Sequence, residues 1–387
     1  MKVELGEIFE ISSGGTPSKK HPEYYGGKIP WIKTGDLKEK YLYNSGEFIT
    51  EEGMKNSSTK LYDKDTVLIA MYGATIGTTS ILKKVSCTNQ ACAAFKKNDQ
   101  VIPEYLYYFF KSQREKFIKD GVGGAQSNIS LGYLKKVKIE LLPISKQIEI
   151  VNLLDNITGV IDKRKKELEL VDILIKARFV EMFGDPVHNP YGWNKTELKE
   201  LADLKIGPFG SLLHKEDYIE GGHALVNPSH IVDGRIIIDS KLTVSEDKYE
   251  ELSAYHLKVG DVVMGRRGEM GRCAVVEEEG LLCGTGSLLI RPKGKVTADY
   301  IQKIISYPTF KKTIEDMAVG QTMPNLNVPI VSGFRIITPP IEVQNSYYDF
   351  VAQVNKSKIV YQADPNKLTF LQKICYNNYK EQYHIPD

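Results

Sequence analysis

Apolar residues recur three or four positions apart at Ile150, Leu154, Ile157, Ile161, Leu168, Val171 and Ile175, and lysine, glutamate and other polar residues fill most of the space between them. This spacing predicts one long amphipathic helix over 142–184 with a single stripe to bury. The helix opens after Pro143, with Ser145 as candidate N-cap, and stops at Gly184-Asp185-Pro186. At about 1.5 Å per residue it would span about 60 Å, more than a compact globule requires. Its seam therefore needs a partner, although Arg164 stands where an all-apolar zipper would carry a hydrophobe.

Shorter patterns flank this helix. Residues 5–11 read as a short helix, 28–36 as a strand ending in a polar turn, and 66–70, 78–82 and 91–95 as strands. A helix is expected over 103–119, a glycine-rich loop over 122–128 and a strand over 134–142. After Pro190-Tyr191-Gly192-Trp193 the same order restarts. Glu197-Leu198 corresponds to Glu4-Leu5, Ala224-to-Pro228 to Ile29-to-Thr34, Gly260-Asp261-Val262 to Lys64-Asp65-Thr66, and Pro340-to-Gln344 to Pro143-to-Gln147.

A period near half the chain means that one globular domain with a trailing helix occurs twice. The second helix begins near Glu342 and is interrupted at Ala363-Asp364-Pro365-Asn366. Two helices with solitary seams most simply bury them against each other. The expected fold is α+β: two duplicated mixed α/β domains, 1–142 and 186–338, joined by long helices at 143–185 and 339–387 that pair as an antiparallel coiled coil with pseudo-two-fold symmetry.

Composition narrows the chemistry. The chain has 387 residues with 42% hydrophobic content, enough for more than one core, and a net charge of only +2, so a phosphate-binding surface must come from local clustering. Five cysteines without a Cys-x-x-Cys spacing point to a reducing compartment and against a structural zinc or a disulfide scaffold. The N-terminus lacks the features of a signal peptide and no apolar run approaches a membrane span, so a cytoplasmic location is expected.

The search for catalytic chemistry yields little. Neither Gly123-Gly124 nor Gly284-Thr285-Gly286 has the context of a dinucleotide or phosphate loop. Asn189-Pro190-Tyr191 lacks the second proline of an amino-methylating tetrapeptide and any glycine-rich cofactor motif upstream. Cys283 fits a buried strand cysteine better than a nucleophile, and His214, His223 and His230 are spaced too widely for a compact metal motif.

The informative cluster is Met264-Gly265-Arg266-Arg267-Gly268-Glu269-Met270-Gly271-Arg272. Arg266, Arg267 and Arg272 can bring guanidinium forks to phosphates or guanine edges while the glycines allow close backbone approach. The first copy has Tyr72-Gly73-Ala74-Thr75-Ile76-Gly77-Thr78 at that place, without an arginine. Shared backbone with altered side chains fits two modules that read different things. Other polar loops recur at corresponding places: Lys19, Lys20, Lys33, Thr34, Asn89, Gln90, Gln126 and Asn128 in the first copy, and Lys215, Asn227 and Gln321 in the second. Asparagine and glutamine can pair with adenine, and lysine can contact phosphate. Trp31 and Phe209 are assigned to the core.

Several stretches, Leu5-Gly6-Glu7 to Gly14-Gly15-Thr16-Pro17, Ile29-Pro30-Trp31-Ile32-Lys33-Thr34-Gly35-Asp36-Leu37, Gln147-Ile148-Glu149-Ile150 and Ala177-to-Pro186 leading to Asn189-Pro190-Tyr191-Gly192-Trp193, together resemble the specificity (S) subunits of Type I restriction-modification systems over essentially the whole length. The resemblance implies two target recognition domains, each reading one half of a split double-stranded DNA target, and paired helices that act as a ruler and dock methyltransferase (M) subunits, typically two. It implies restriction (R) subunits as further partners, AdoMet in the M subunit, ATP and Mg in the R subunit, and neither cofactor nor catalytic residue in this chain. The alternative is an assembly scaffold whose duplicated domains bind protein and read no DNA.

Overall fold

In a computed structural model the described residues are 1–121, 128–209, 212–268, 271–317 and 325–361. They divide into two compact units, Met1–Lys166 and Glu167–Tyr361.

In the first unit, Ile11–Ser13, Cys92–Phe95, Val67–Ala70, Thr79–Leu82 and Tyr41–Leu42 lie in that order in one sheet, antiparallel except for the last pair. The central run Val67-Leu68-Ile69-Ala70 is buried on both faces, with alternate residues serving different cores. Val67 and Ile69 join Phe95, Phe110 and Phe117 beneath the helix Pro103–Asp120, whereas Leu68 and Ala70 join Ile32, Leu37 and Tyr62. A smaller sheet pairs Tyr25–Ile32 in parallel with Ser86–Thr88. The stretch read as a strand over 134–142 is instead a helix, Leu131–Lys136, followed by a short strand, Lys138–Glu140. Ser130 caps that helix by accepting from Tyr133 N, which carries helix into the expected strand and delays the extended segment to Lys138.

The second unit repeats the design. Ala202–Ile206, Ser287–Pro292, Val262–Gly265 and Cys273–Val275 follow the same antiparallel order, and His223–Val226 runs parallel to Leu282–Cys283. In both units the outer pair joins the two ends of the domain: Lys2–Glu4 with Lys138–Glu140, and Lys195–Glu197 with Arg335–Ile337. The register of the copies differs by one residue from the sequence alignment of Asp65 with Asp261. Asp65 N bonds Leu82 O and Gly260 N bonds Val276 O, so Asp65 corresponds to Gly260 and Thr66 to Asp261. Both occupants sit at positive φ, 67° and 88°, where glycine is free and aspartate is tolerated better than most residues.

The long helix spans Ile144–Phe183. It begins one residue before Ser145, which therefore lies inside the first turn, and Pro143 O accepts from Lys146 N and Gln147 N. Gln147 is fully buried: its Oε1 accepts from Ile102 N at 2.9 Å, and its Nε2 donates to Gln100 O and Leu142 O at 2.7 and 2.8 Å. Gln344 repeats the tie, accepting from Thr297 N at 3.1 Å and donating to Pro339 O at 2.9 Å.

The apolar stripe is shared between the units. Ile150 and Leu154 are buried in the core of the first, while Ile175 packs beside Phe179 and Phe183 in the core of the second. Ile161 is buried, Ile157, Leu168 and Val171 are half-buried, and Arg164 is exposed. Within the second unit the closing helix Ile341–Tyr361 lies on the C-terminal half of the long helix. Tyr347 meets Phe179 and Phe183 edge-on, both at 5.5 Å, and its hydroxyl donates to Ile175 O at 3.3 Å. Burial of each phenylalanine contributes roughly 2–3 kcal/mol. The interruption at Ala363–Asn366 lies outside the described residues.

Asn189 closes the turn after the long helix: its Nδ2 donates to Trp193 O at 2.7 Å and its Oδ1 accepts from Trp193 N at 2.9 Å. Among the described residues, no helix is long and apolar enough to cross a membrane, and no group of three or more His, Cys, Asp or Glu is arranged to hold a metal.

Candidate nucleic-acid interface

Hydrogen bonds gather the loops at one set of strand ends in the first unit. Gly15 N donates to Thr88 O at 2.9 Å, and Asn89 N to Ile32 O at 2.9 Å. Thr16 Oγ1 donates to Gln90 Oε1, and the buried Trp31 donates from Nε1 to Gly15 O at 3.0 Å. Met71 N reaches Ala91 O at 2.8 Å, and Tyr72 bridges to Asn128. Thr16, Lys33, Thr34, Asn89, Gln90, Tyr72 and Asn128 thus form one rim. Gly14 allows its backbones to close up, since a Cβ there would lie 1.9 Å from Thr88 O.

Side-chain commitments differ within this rim. Lys33 is ion-paired with Glu47, and its backbone N donates to Asp36 Oδ2 at 2.8 Å, which closes the turn Thr34–Asp36. Asn89 Oδ1 accepts from Ala91 N at 3.2 Å. Gln90 and Asn128 are exposed. Lys19 and Lys20 are exposed on the turn beyond Pro17, whose carbonyl accepts from Tyr25 Oη at 2.6 Å.

The second unit builds the same rim from other side chains. Gly284 N donates to Val226 O at 3.0 Å, Arg266 N to Gly286 O at 3.1 Å and Leu326 N to Arg266 O at 2.9 Å, while Arg267 bridges to Asn325. By these bonds Arg266 occupies the place of Met71, and Arg267 that of Tyr72. Gly265 N donates to Arg272 O as Ala70 N does to Thr78 O, which aligns Arg272 with Thr78. Arg272 also donates to Pro228 O at 3.2 Å, so it spans from the arginine loop to the turn that Asn227 opens. Asn227 N approaches His230 Nδ1 at 3.3 Å, in the place of the Lys33–Asp36 bond. Gly284 is closely covered: a Cβ would lie 2.3 Å from Asn227 Oδ1.

Arg266 is half-buried and Arg267 exposed. Burial, and then the neighbouring charge of Arg267, hold the Arg266 guanidinium below its usual range. Its Nε is shielded from water and has no hydrogen-bond partner, and the same is true of Asn325 Oδ1. Lys215 is exposed on the turn Lys215–Asp217, away from the bonds that define the rim. Gln126 and Gln321 lie outside the described residues.

Phe209 is a correction: it is 61% exposed rather than in the core. Gly207 N donates to Ser287 O at 3.1 Å at the edge of the rim, and Phe209 lies two residues beyond it, past the end of the strand Ala202–Ile206. Trp31 is buried as expected. Sequence reasoning also passed over Tyr72, 42% exposed, and Asn325. The signal for Tyr72 was its place opposite Arg267 in the duplication. Cys283 is fully buried in its strand, and burial pushes its thiol up to about 12, which leaves no thiolate near neutral pH.

Comparisons with known proteins agree with this architecture. A model of the Type I restriction modification DNA specificity domain matches residues 1–170 and again 190–369. The MjaIX specificity subunit of Methanocaldococcus jannaschii is 28% identical over 373 residues, covering 90% of this chain and 85% of that protein. The EcoR124I/EcoR124II specificity subunit of Escherichia coli is 32% identical over 157 residues, 39% of each chain. Two solved structures share the fold. The Type I restriction-modification S subunit from M. genitalium has a TM-score of 0.56 at 15% identity, covering 97% of this chain and 94% of that one. A chain solved in work on complex assembly and conformational transition of the type I R-M system has a TM-score of 0.67 at 16% identity, with 97% and 96% covered. With two matched domains and the duplicated fold in agreement, the chain belongs to the Type I restriction-modification DNA specificity family.

Proposed function

We propose that this chain reads a bipartite double-stranded DNA target, one half per unit, and confers that specificity on M and R subunits. The observation that carries the reading is the twice-built rim: one backbone, closed by the same bonds, presents amides, a threonine and a tyrosine in the first unit and arginines with two asparagines in the second. Neutral amides and guanidinium forks select different base edges, and phosphate contacts by Lys19, Lys20 and Lys215 fix register.

Residues 1–142 and 186–338 act as recognition domains. The helices 143–185 and 339–387 pair, set the spacer between the half-sites and dock two M subunits. The chain itself is non-catalytic. AdoMet belongs to M, and ATP and Mg to R. Since an adenine must leave the stack to be methylated, each rim must tolerate local distortion of its site.

Co-expression with the cognate M subunit and base-resolved mapping of N6-methyladenine test this. A single bipartite motif that vanishes when this chain is omitted is expected. Methylation by an active M subunit that persists unchanged would sink the reading in favour of a protein-binding scaffold.

A further inference from the structure

The fold does not require an arginine at position 266. Its backbone N–H and C=O are engaged by Gly286 and Leu326, and in the first unit the same place is filled by Met71, 2% exposed. The second unit instead carries a guanidinium into a half-buried slot, with Nε shielded and unpartnered. Among the described residues no carboxylate pairs with it or with Arg267. Asn325, bridged to Arg267, holds a shielded Oδ1 with no donor. An unmet donor on Arg266 and an unmet acceptor on Asn325, the bridge partner of the next residue, thus sit at one rim. Shielded polar groups left unmet are costly, so the arrangement is best satisfied by a ligand toward which these side chains turn and which supplies both complements.

A base-pair edge does so. Guanine presents N7 and O6, two adjacent acceptors that match a guanidinium fork, and its cytosine presents an N4–H donor that a carboxamide oxygen can accept. An A·T pair places the adenine N6 donor between its acceptors and offers the fork no adjacent pair. The first rim, with Met71 and Tyr72 in these places, has no guanidinium to make the contact.

We infer that the second unit reads a G·C pair through Arg266 and Arg267, with Asn325 accepting from the cytosine, and that the first unit has no equivalent contact. This rests on the reading that the rims face DNA. A phosphate could also take the two guanidinium groups, so the test must separate base from backbone.

The variants Arg266→Met and Arg267→Tyr copy the first unit. Each is placed in the full chain, co-expressed with the cognate M subunit, and the methylated motif is mapped. The expected result is relaxation at one G·C position in one half, by roughly 5- to 150-fold in discrimination, with the other half unchanged. Equal weakening at every site marks a phosphate clamp and overturns the inference, as does an unaltered motif.

Should a variant fold poorly, the wild-type complex is assayed on target duplexes with 7-deazaguanine at each guanine in turn, which removes N7 alone. Weaker binding at one position of one half supports the inference, and no sensitivity anywhere overturns it. A chain-dependent motif that fixes no G·C pair in either half overturns the inference and leaves bipartite reading intact. Absence of any chain-dependent motif removes that reading as well.

Discussion

At the foot of its central strand the first unit places Thr66, and the second places Asp261 at the same point; both are buried. Around Thr66 nothing charged is needed, and the neighbouring Lys96 reaches out to Glu10 at 2.7 Å in an exposed pair. Asp261 instead receives a bidentate clamp from Arg291, at 2.8 and 2.6 Å, and Arg291 also donates to His256 O at 3.1 Å. The strand order, the positive-φ residue before the strand and the buried glutamine at the helix start stay the same. Backbone pairing and a few buried ties define the scaffold, and side chains at strand ends vary around it. That division suits a protein whose two halves must hold one geometry and read two different things.

The strongest way to break the shared scaffold is at the glutamine ties. Gln147→Leu leaves Ile102 N, Gln100 O and Leu142 O without their partner and should cost the first unit about 3–5 kcal/mol, given 1–3 kcal/mol for each unmet buried group. Gln344→Leu removes two ties and should cost the second unit about 2–3 kcal/mol. Hydrogen exchange read separately for each unit checks that each loss stays in its own half.

The difference between the units is sharpened by Arg291→Met. It strands a buried carboxylate, and with Arg291 partly exposed the expected loss is about 2–3 kcal/mol in the second unit. Lys96→Met, at the corresponding place in the first unit, should leave denaturation unchanged, because its partner is exposed.

The smallest effect is the pH dependence that His223 brings to the second unit. His223 lies 2.8 Å from Glu246, and that hydrogen bond raises its pKa above the usual value; the first unit has Ile29 at this place. A raised folded-state pKa stabilises below the ordinary histidine value near 6.5, and the contribution fades as pH rises through the folded pKa. Glu246→Gln should therefore lower the melting temperature at pH 5.5 and leave it unchanged at pH 9. Equal shifts at both values would remove the assignment.

Much of this was legible in the chain. The duplication was visible in Pro143-to-Gln147 against Pro340-to-Gln344 because a buried polar side chain at a helix start restricts the sequence around it. The long helix was visible because its stripe has a regular period. The register of the second copy is off by one residue in the sequence alignment because the shared feature at 65 and 260 is a left-handed backbone, which glycine adopts freely and aspartate tolerates, whereas matching aspartate to aspartate follows letters.

The stripe reads as a seam for another helix, and the closing helix packs at its C-terminal end, where Tyr347 and Val351 share a core with Ile175; the period does not carry the further fact that Ile150 and Leu154 serve the core of the first unit. At the rim, Arg266 and Arg267 stood out as charges beside glycines. Tyr72, Asn325 and Phe209 did not, because their places are set by strand pairing and loop exit, and local composition carries neither.

One scaffold with two separate readers can be probed by replacing residues 186–338 with a second copy of 1–142 and mapping methylation in the presence of the cognate M subunit. The expected motif has halves of the same sequence in inverted repeat, both matching the half that survives the Arg266 and Arg267 variants. Retention of the original two-part motif by a chimaera that assembles with M would contradict it.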